Sequence, residues 1–473
     1  MNGIQALRPD RSAARPRVVM EHRTMGTVSK LMHASDDLRS RDELLLAAKE
    51  FLFPAVFHYY EKPLVIERAE GPCVWDSEGC RYLDFFGGIV TISVGHRNER
   101  VDRAVHRQID TLQHVSTLYA TRPQIGLAAR IARLSPRSSL TKSFFTNSGS
   151  EANETAVQLA RCHTGNSEII ALRHGYHGRT LAGRAMTGQS AWRGPGLPRG
   201  GFVLAHNAYC YRCPLEKTYP SCDIACARDM KELIETSTSG SVAGILAEPV
   251  QGIGGFITPP DEYFRIVAEI VREHGGVFIS DEVQTGCGRT GKWFGIEHYG
   301  VEPDIVTMAK GLGNGMPIGA TTARAEIADS LRHLTLSTFG GNPVTATAAG
   351  AVLDFIERER LLENSQDMGE ILAGHLTEMQ AEFPLIGDVR GKGLMQAIEL
   401  VSDRTTKEPA PRETARILEC AREQGLLVGK GGLYGNVIRI TPPLNIGRSE
   451  VDAFATMMRA ALDSVQRNGP GNG

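Results

Sequence analysis

The stretch "GVFISDEVQTG", residues 276–286, decides how this chain is read. Gly276-Val277-Phe278-Ile279 has the character of the end of a buried strand, and it runs straight into Ser280, Asp281 and Glu282. A carboxylate drawn out of water costs several kcal/mol unless something pairs with it. An acid at the end of a buried strand therefore implies a partner waiting there.

Working outward, the same pattern recurs. From about residue 100, helical stretches such as 101–113 and 123–134 alternate with short apolar runs. These are "SFFT" at 143–146, "EIIAL" at 168–172, "GILAEPV" at 244–250, "VFIS" at 277–280 and "DIVTMA" at 304–309. That alternation predicts an α/β fold with parallel strands and crossover helices. Upstream, residues 41–60 read as helix until Pro54, and "PLVIERAEGPCVWDSEGCRYLDFFGG" reads as short strands turning at Glu70-Gly71 and Ser77-Glu78-Gly79. After Gly350 a long helical run leads into "PLIGDVRGKGLMQAIEL" and "NVIRITPPL", a small α+β module.

In open α/β sheets ligands bind beyond the carboxyl ends of the strands. "SFFT" delivers Asn147, Ser148, Gly149 and Ser150 to the start of a helix, a place where free backbone N–H groups suit a phosphate and where Ser and Asn also serve as ordinary caps. "EIIAL" delivers Tyr176 and His177 between glycines, where a ring could stack on a planar group or simply form a surface turn. "VFIS" delivers Asp281, followed by Val283 and Gln284, and "DIVTMA" delivers Lys310 ahead of the Gly-rich "GLGNGMPIGA". Lys310 and Asp281 could pair with each other, but desolvation makes a buried ion pair a poor stabiliser. A reading that gives each charge a cofactor partner is more economical. Lysine forms a Schiff base with an aldehyde, and a carboxylate keeps a pyridinium nitrogen protonated. Pyridoxal 5′-phosphate needs both.

The composition is that of an ordinary globular chain: 473 residues, 41% hydrophobic, 22% charged, net charge -2. No basic footprint marks a nucleic-acid partner, and no apolar run reaches the ~20 residues that would cross a membrane as a helix. Residues 1–30 carry Arg8, Arg11, Arg15, Arg17, Arg23 and Lys30, which hints at a transit peptide, but Asp10 and Glu21 count against one. Residues 1–40 are expected to be a disordered leader of a cytoplasmic protein. Met20 and Met25 are alternative starts. Four of the nine cysteines, Cys210, Cys213, Cys222 and Cys226, have the spacing C-x2-C-x8-C-x3-C. That set could supply four thiolates to zinc; free loop thiols and a disulfide are the rival readings, and no metal is assigned.

Three segments carry a resemblance: "AEPVQGIGGFITPP", "ISDEVQTGCGRTGKWFGIEHYGVEPDIVTMAKGLGNGMPIGA" and "STFGGNPVTATAA". They resemble successive signatures of the class III pyridoxal-phosphate aminotransferases, over about residues 60–460. "YRCPLEKTYPSCDIACARDMKELI" is most similar to the alanine–glyoxylate aminotransferase 2-like branch. The resemblance implies fold type I, with a mostly parallel sheet in a large domain and a smaller α+β domain formed by the two chain ends. The expected division is 41–95, 96–345 and 346–473, the middle segment binding the cofactor. It also implies roles. Lys310 would carry the cofactor as a Schiff base, Asp281 would hold the ring nitrogen, and Gln284 the phenolic oxygen. Val283 and Tyr176 would sandwich the ring, while Gly149 and Ser150 would hold the phosphate. Thr338 would reach the phosphate from a partner subunit, in a homodimer with shared sites or a tetramer built from such dimers. Arg439 would bind the substrate carboxylate, as a bidentate guanidinium suits one.

One departure bears on the substrate. Several ω-amino-acid enzymes using 2-oxoglutarate carry a glutamate two residues after the Gln of "EPVQG", and here that position is Ile253. The expected reaction is therefore amino transfer between alanine, or a small β- or ω-amino acid, and a small 2-oxo acid such as pyruvate or glyoxylate. Rival readings are a 2-oxoglutarate-dependent ω-amino acid transaminase, a decarboxylating transaminase, an aminomutase, a racemase, and a non-catalytic binding protein of the same fold.

Overall fold

The computed structural model describes residues 40–56, 58–136, 139–196 and 199–467, so all of the expected leader except Ser40 lies outside the described residues. The chain divides into two compact units, 1–65 and 66–473. The described part of the first holds the helix Arg41–Phe51, which stops short of the Pro54 expected from sequence. A reciprocal cap opens it: the Glu43 N–H donates to Ser40 Oγ at 3.3 Å, and the Ser40 N–H donates to Glu43 Oε2 at 3.1 Å.

In the second unit, β1 (Ile66–Glu70), β2 (Cys73–Asp76) and β3 (Arg81–Asp84) form an antiparallel meander. Its turns fall where the sequence placed them, with Gly71 at φ +55° and Gly79 at φ +81°.

The central sheet holds seven strands: β4 (Lys142–Thr146), β5 (Ile169–Leu172), β6 (Phe202–Ala205), β7 (Gly244–Ala247), β8 (Val277–Asp281), β9 (Ile305–Met308) and β10 (Gly319–Ala323). Their order is β4-β10-β9-β8-β7-β5-β6. All five apolar runs read from sequence are strands here, and β5 to β9 pair in parallel. β6 and β10 were not foreseen. β10 is Gly-Ala-Thr-Thr-Ala and runs antiparallel to both neighbours, so its pairing rather than apolar side chains defines it. Ile169, Leu246, Ile279 and Ile305 are fully buried beneath the helix Gly149–Thr164, whose Ala156 and Ala160 allow close approach to the sheet.

Toward the C-terminus, β11 (Ile386–Lys392) and β12 (Met395–Asp403) form a hairpin; β13 (Glu408–Pro409), β14 (Leu426–Leu427), β15 (Gly429–Gly431) and β16 (Val437–Ile440) follow. A further sheet, antiparallel throughout, runs β11-β12-β16-β15, with β13 beside β12. β14 pairs in parallel with β3, Leu426 opposite Leu83, so strands from near both chain ends share one sheet. No helix among the described residues is long and apolar enough to cross a membrane. β8 lies in the middle of the central sheet between β7 and β9, and it is there that the charged strand ends converge.

Candidate active site

Asp281 is the last residue of β8 and 3% exposed. It is well supplied with donors. The Val283 N–H donates to its Oδ1 at 3.1 Å, while Asn153 Nδ2 at 2.9 Å and His177 Nδ1 at 2.8 Å both donate to its Oδ2. Asn153 is itself oriented, because Thr307 Oγ1 donates to its Oδ1 at 2.7 Å and its Nδ2 also reaches the His177 carbonyl at 3.0 Å. The acid is thus locked by β9 and by the helix behind it.

Immediately after β7, Glu248 accepts from the Tyr176 N–H at 2.9 Å and the Gly252 N–H at 2.7 Å. Burial first, and then the charge of Asp281, push this carboxyl above its ordinary pKa, with His177 opposing. Beyond β9, Lys310 opens a short 3-10 turn, Lys310–Leu312, at φ +41°. A non-glycine residue pays strain in that region, and such strain gathers at functional sites. Burial lowers the Lys310 ammonium to about 8, assisted by Arg439 and opposed by Asp281 and Glu248. Among the described residues its Nζ makes no hydrogen bond or ion pair.

These groups line one cavity of about 200 Å³ together with Gly149, Ser150, Tyr176, Val283 and Gln284. Seven of the nine residues singled out in the sequence therefore meet. Two of its walls are cut close to glycine. A Cβ on Gly149 would stand 2.9 Å from both methyl carbons of Val283, and one on Gly178 would collide with Ser150. The Arg179 N–H donates to Ser150 Oγ at 3.1 Å, bringing a cation to the same corner. Tyr176 is braced edge-on by Trp192 at 5.7 Å.

Thr338 and Arg439 are not on that cavity wall. Thr338 lies in an exposed stretch with Leu334, Leu336 and Phe339. Arg439, on β16, is 1% exposed; it donates to the Lys430 carbonyl from Nε at 3.1 Å and from Nη2 at 2.8 Å, and lies over Phe86 at 5.0 Å. Its Nη1 reaches the Gly252 carbonyl at 3.5 Å, which sets it beside the turn that carries Ile253.

Sequence reading missed Asn153 and Glu248 and gave His177 no role. Glu248 sits directly past a strand, the same signal that exposed Asp281. Asn153 interrupts the small buried face Ala152, Ala156, Val157, Ala160 of its helix, and a polar residue there needs an inward partner.

The residues fit pyridoxal phosphate on a structural test. Gln284 Oε1 is buried with no hydrogen-bond partner, the lysine has none, and the helix start at Gly149 leaves room a side chain would fill.

Comparison with known proteins agrees. The family model "Aminotransferase class-III" matches residues 57–462. Alanine--glyoxylate aminotransferase 2 homolog 2, mitochondrial, of Arabidopsis thaliana is 42% identical over 90% of this chain and 88% of its own length. Leucine/methionine racemase of Thermococcus litoralis is 39% identical over 91% of this chain and 98% of its own. The crystal structure of a thermostable (S)-enantioselective omega-transaminase from Thermomicrobium roseum superposes with a TM-score of 0.83 at 36% identity, covering 90% of this chain and 99% of that one. The cytoplasmic expectation is corrected by the Arabidopsis match, since that relative is named as mitochondrial. That expectation let two acids, Asp10 and Glu21, outweigh six basic residues. On fold, cofactor and enzyme class the sequence reading stands: this chain belongs to the class III aminotransferases, pyridoxal-phosphate-dependent enzymes of fold type I.

Proposed function

We propose that this enzyme moves an amino group between alanine, or a small β- or ω-amino acid, and a small 2-oxo acid such as pyruvate or glyoxylate. The observation that carries the substrate reading is Ile253. Ile253 directly follows Gly252, whose carbonyl Arg439 Nη1 reaches, so this position beside the guanidinium carries no carboxylate to compete with a substrate's. The relative named for alanine and glyoxylate supports the same choice.

In this reading Asp281 and Gln284 hold the two polar edges of the cofactor ring, Val283 and Tyr176 its faces, and Gly149 and Ser150 its phosphate. Pyridoxal phosphate, when bound, supplies an electron-accepting ring that stabilises negative charge at the substrate α-carbon. The protein does the rest. The clamp of Asn153, His177 and Val283 keeps Asp281 aimed, so its carboxylate is available to a ring N–H. Lys310 Nζ, lowered toward neutrality, takes the α-proton and returns one. Arg439 orients the substrate through its carboxylate. The amino group leaves the first substrate in one half-reaction and reaches the oxo acid in the second, giving ping-pong kinetics.

The site is proposed to be completed across a homodimer, with Thr338 contributing to the partner's phosphate site. Its exposure beside the apolar Leu334, Leu336 and Phe339 supports this, because uncovered apolar patches mark interaction surfaces.

The racemase relative gives the second reading its footing. Incubation of the holoenzyme with L-alanine, with and without glyoxylate, separates the two. Transamination yields glycine, and pyruvate beyond one equivalent per site, only when glyoxylate is present. D-alanine formed without any oxo acid would instead establish racemisation.

A further inference from the structure

Glu248 stands in the active site without a part in the chemistry of amino transfer. It directly follows β7, is buried, and lines the same cavity as Asp281 and Lys310. Burial and the nearby Asp281 both disfavour its charge. A buried carboxylate is costly, so one kept there has partners that need it.

Those partners lie on two separate elements. Oε1 accepts from the Tyr176 N–H at 2.9 Å, and Oε2 accepts from the Gly252 N–H at 2.7 Å. Tyr176, in the turn after β5, is a wall of the cavity. Gly252 opens the turn that leads to Ile253. It is pressed so closely against Gln284 that a Cβ there would stand 2.3 Å from the Gln284 amide nitrogen. Its carbonyl is the one that Arg439 Nη1 reaches at 3.5 Å. One carboxylate therefore ties the Tyr176 backbone to the residue that Gln284 and Arg439 both approach.

A staple for its own turn would need only the bond to Gly252, four residues away. The bond to Tyr176 crosses 72 residues and joins a second strand end to the first. The residue type matters as well. Two N–H donors from different elements need an acceptor at each end, which a carboxylate offers and an amide does not.

We infer that Glu248 is a positioning residue that couples the wall stacking on the cofactor to the arm that binds the substrate carboxylate. The inference rests on the roles proposed for Tyr176 and Arg439. Losing either bond frees Tyr176 or Gly252, and with Gly252 a support of the Arg439 guanidinium.

The test compares the holoenzyme with Glu248→Gln, which keeps the size of the side chain and removes one acceptor. The visible circular-dichroism band of the bound cofactor reports the Tyr176 wall. The ratio of kcat/KM for alanine to that for a primary amine lacking a carboxylate reports the Arg439 arm. The band should weaken, and the ratio should fall about tenfold or more, the scale of a lost hydrogen bond to a charged group. Glu248→Asp keeps the charge but is one methylene short of spanning both N–H groups. It should show the same pair of changes, and it decides alone if the amide variant does not fold. A lowered melting temperature with both readouts unchanged would reduce Glu248 to a staple and overturn the inference. Movement of one readout without the other would overturn the coupling.

Arg439→Lys separates this inference from the reading beneath it. A ratio that falls in Arg439→Lys but not in Glu248→Gln overturns the role of Glu248 alone. A ratio unmoved in Arg439→Lys overturns the carboxylate arm itself, and the coupling with it. If the unaltered enzyme prefers another amino acid to alanine, the ratio is taken with that donor, so a wrong donor does not enter the comparison.

Discussion

His177 donates from Nδ1 to Oδ2 of Asp281 at 2.8 Å, both side chains being almost fully buried. The imidazole shares that oxygen with Asn153. Its role is to orient, and orientation has a measurable cost. His177→Ala is expected to lower kcat about 10–100-fold, the scale typical of groups that position a functional ligand. Asp281→Ala should cost more, about 10²–10⁴-fold. Steady-state kinetics at saturating cofactor, with circular dichroism to confirm folding, checks both.

Lys310 has an amine lowered to about 8 by burial. A Schiff base forms from the neutral amine, so the cofactor-free protein should take up pyridoxal phosphate faster as pH rises. The sign follows from the direction of the shift: protonated below the pKa, reactive above it. The uptake rate should have its midpoint near pH 8, not near the ~10.4 of an ordinary lysine. Stopped-flow absorbance across pH 6.5–10 measures it. Lys310→Ala should show no turnover at any pH.

Gly149 holds the phosphate corner open. Gly149→Ala puts a methyl group 2.9 Å from Val283, in the wall expected to touch the ring. Cofactor Kd should rise at least about tenfold, equivalent to ~1.4 kcal/mol, with little change in the melting temperature of the cofactor-free protein. Equilibrium dialysis gives the first quantity and calorimetry the second.

Arg439 is almost wholly buried, so its removal affects both packing and recognition. Arg439→Lys keeps the charge but loses the planar fork. With alanine as donor, kcat/KM should fall by about 10²-fold, as expected for a bidentate charged pair worth ~3 kcal/mol. A primary amine donor lacking a carboxylate should be affected much less. Ile253→Glu should act on the same contact, lowering the rate with alanine while the rate with an amine is spared.

Much of this was legible in the residues because chemistry and fold share a signal. A strand that ends in a charge announces both its own boundary and the ligand site beyond it, as β8 does with Asp281 and β9 with Lys310. β10 escaped because Gly-Ala-Thr-Thr-Ala has little apolar contrast; only pairing with β4 and β9 makes it a strand. Asn153 and His177 escaped for another reason. Each acts through Asp281, more than a hundred residues away in sequence, and no local pattern encodes that contact.

The most direct test of the central claim is the visible spectrum of the holoenzyme as L-alanine, L-glutamate, β-alanine and γ-aminobutyrate are added one at a time, without an oxo acid. The account predicts an absorption band from cofactor held on Lys310, bleached by alanine and unmoved by glutamate. Bleaching by glutamate but not by alanine would contradict the assignment of Ile253 and Arg439 to small monocarboxylate substrates.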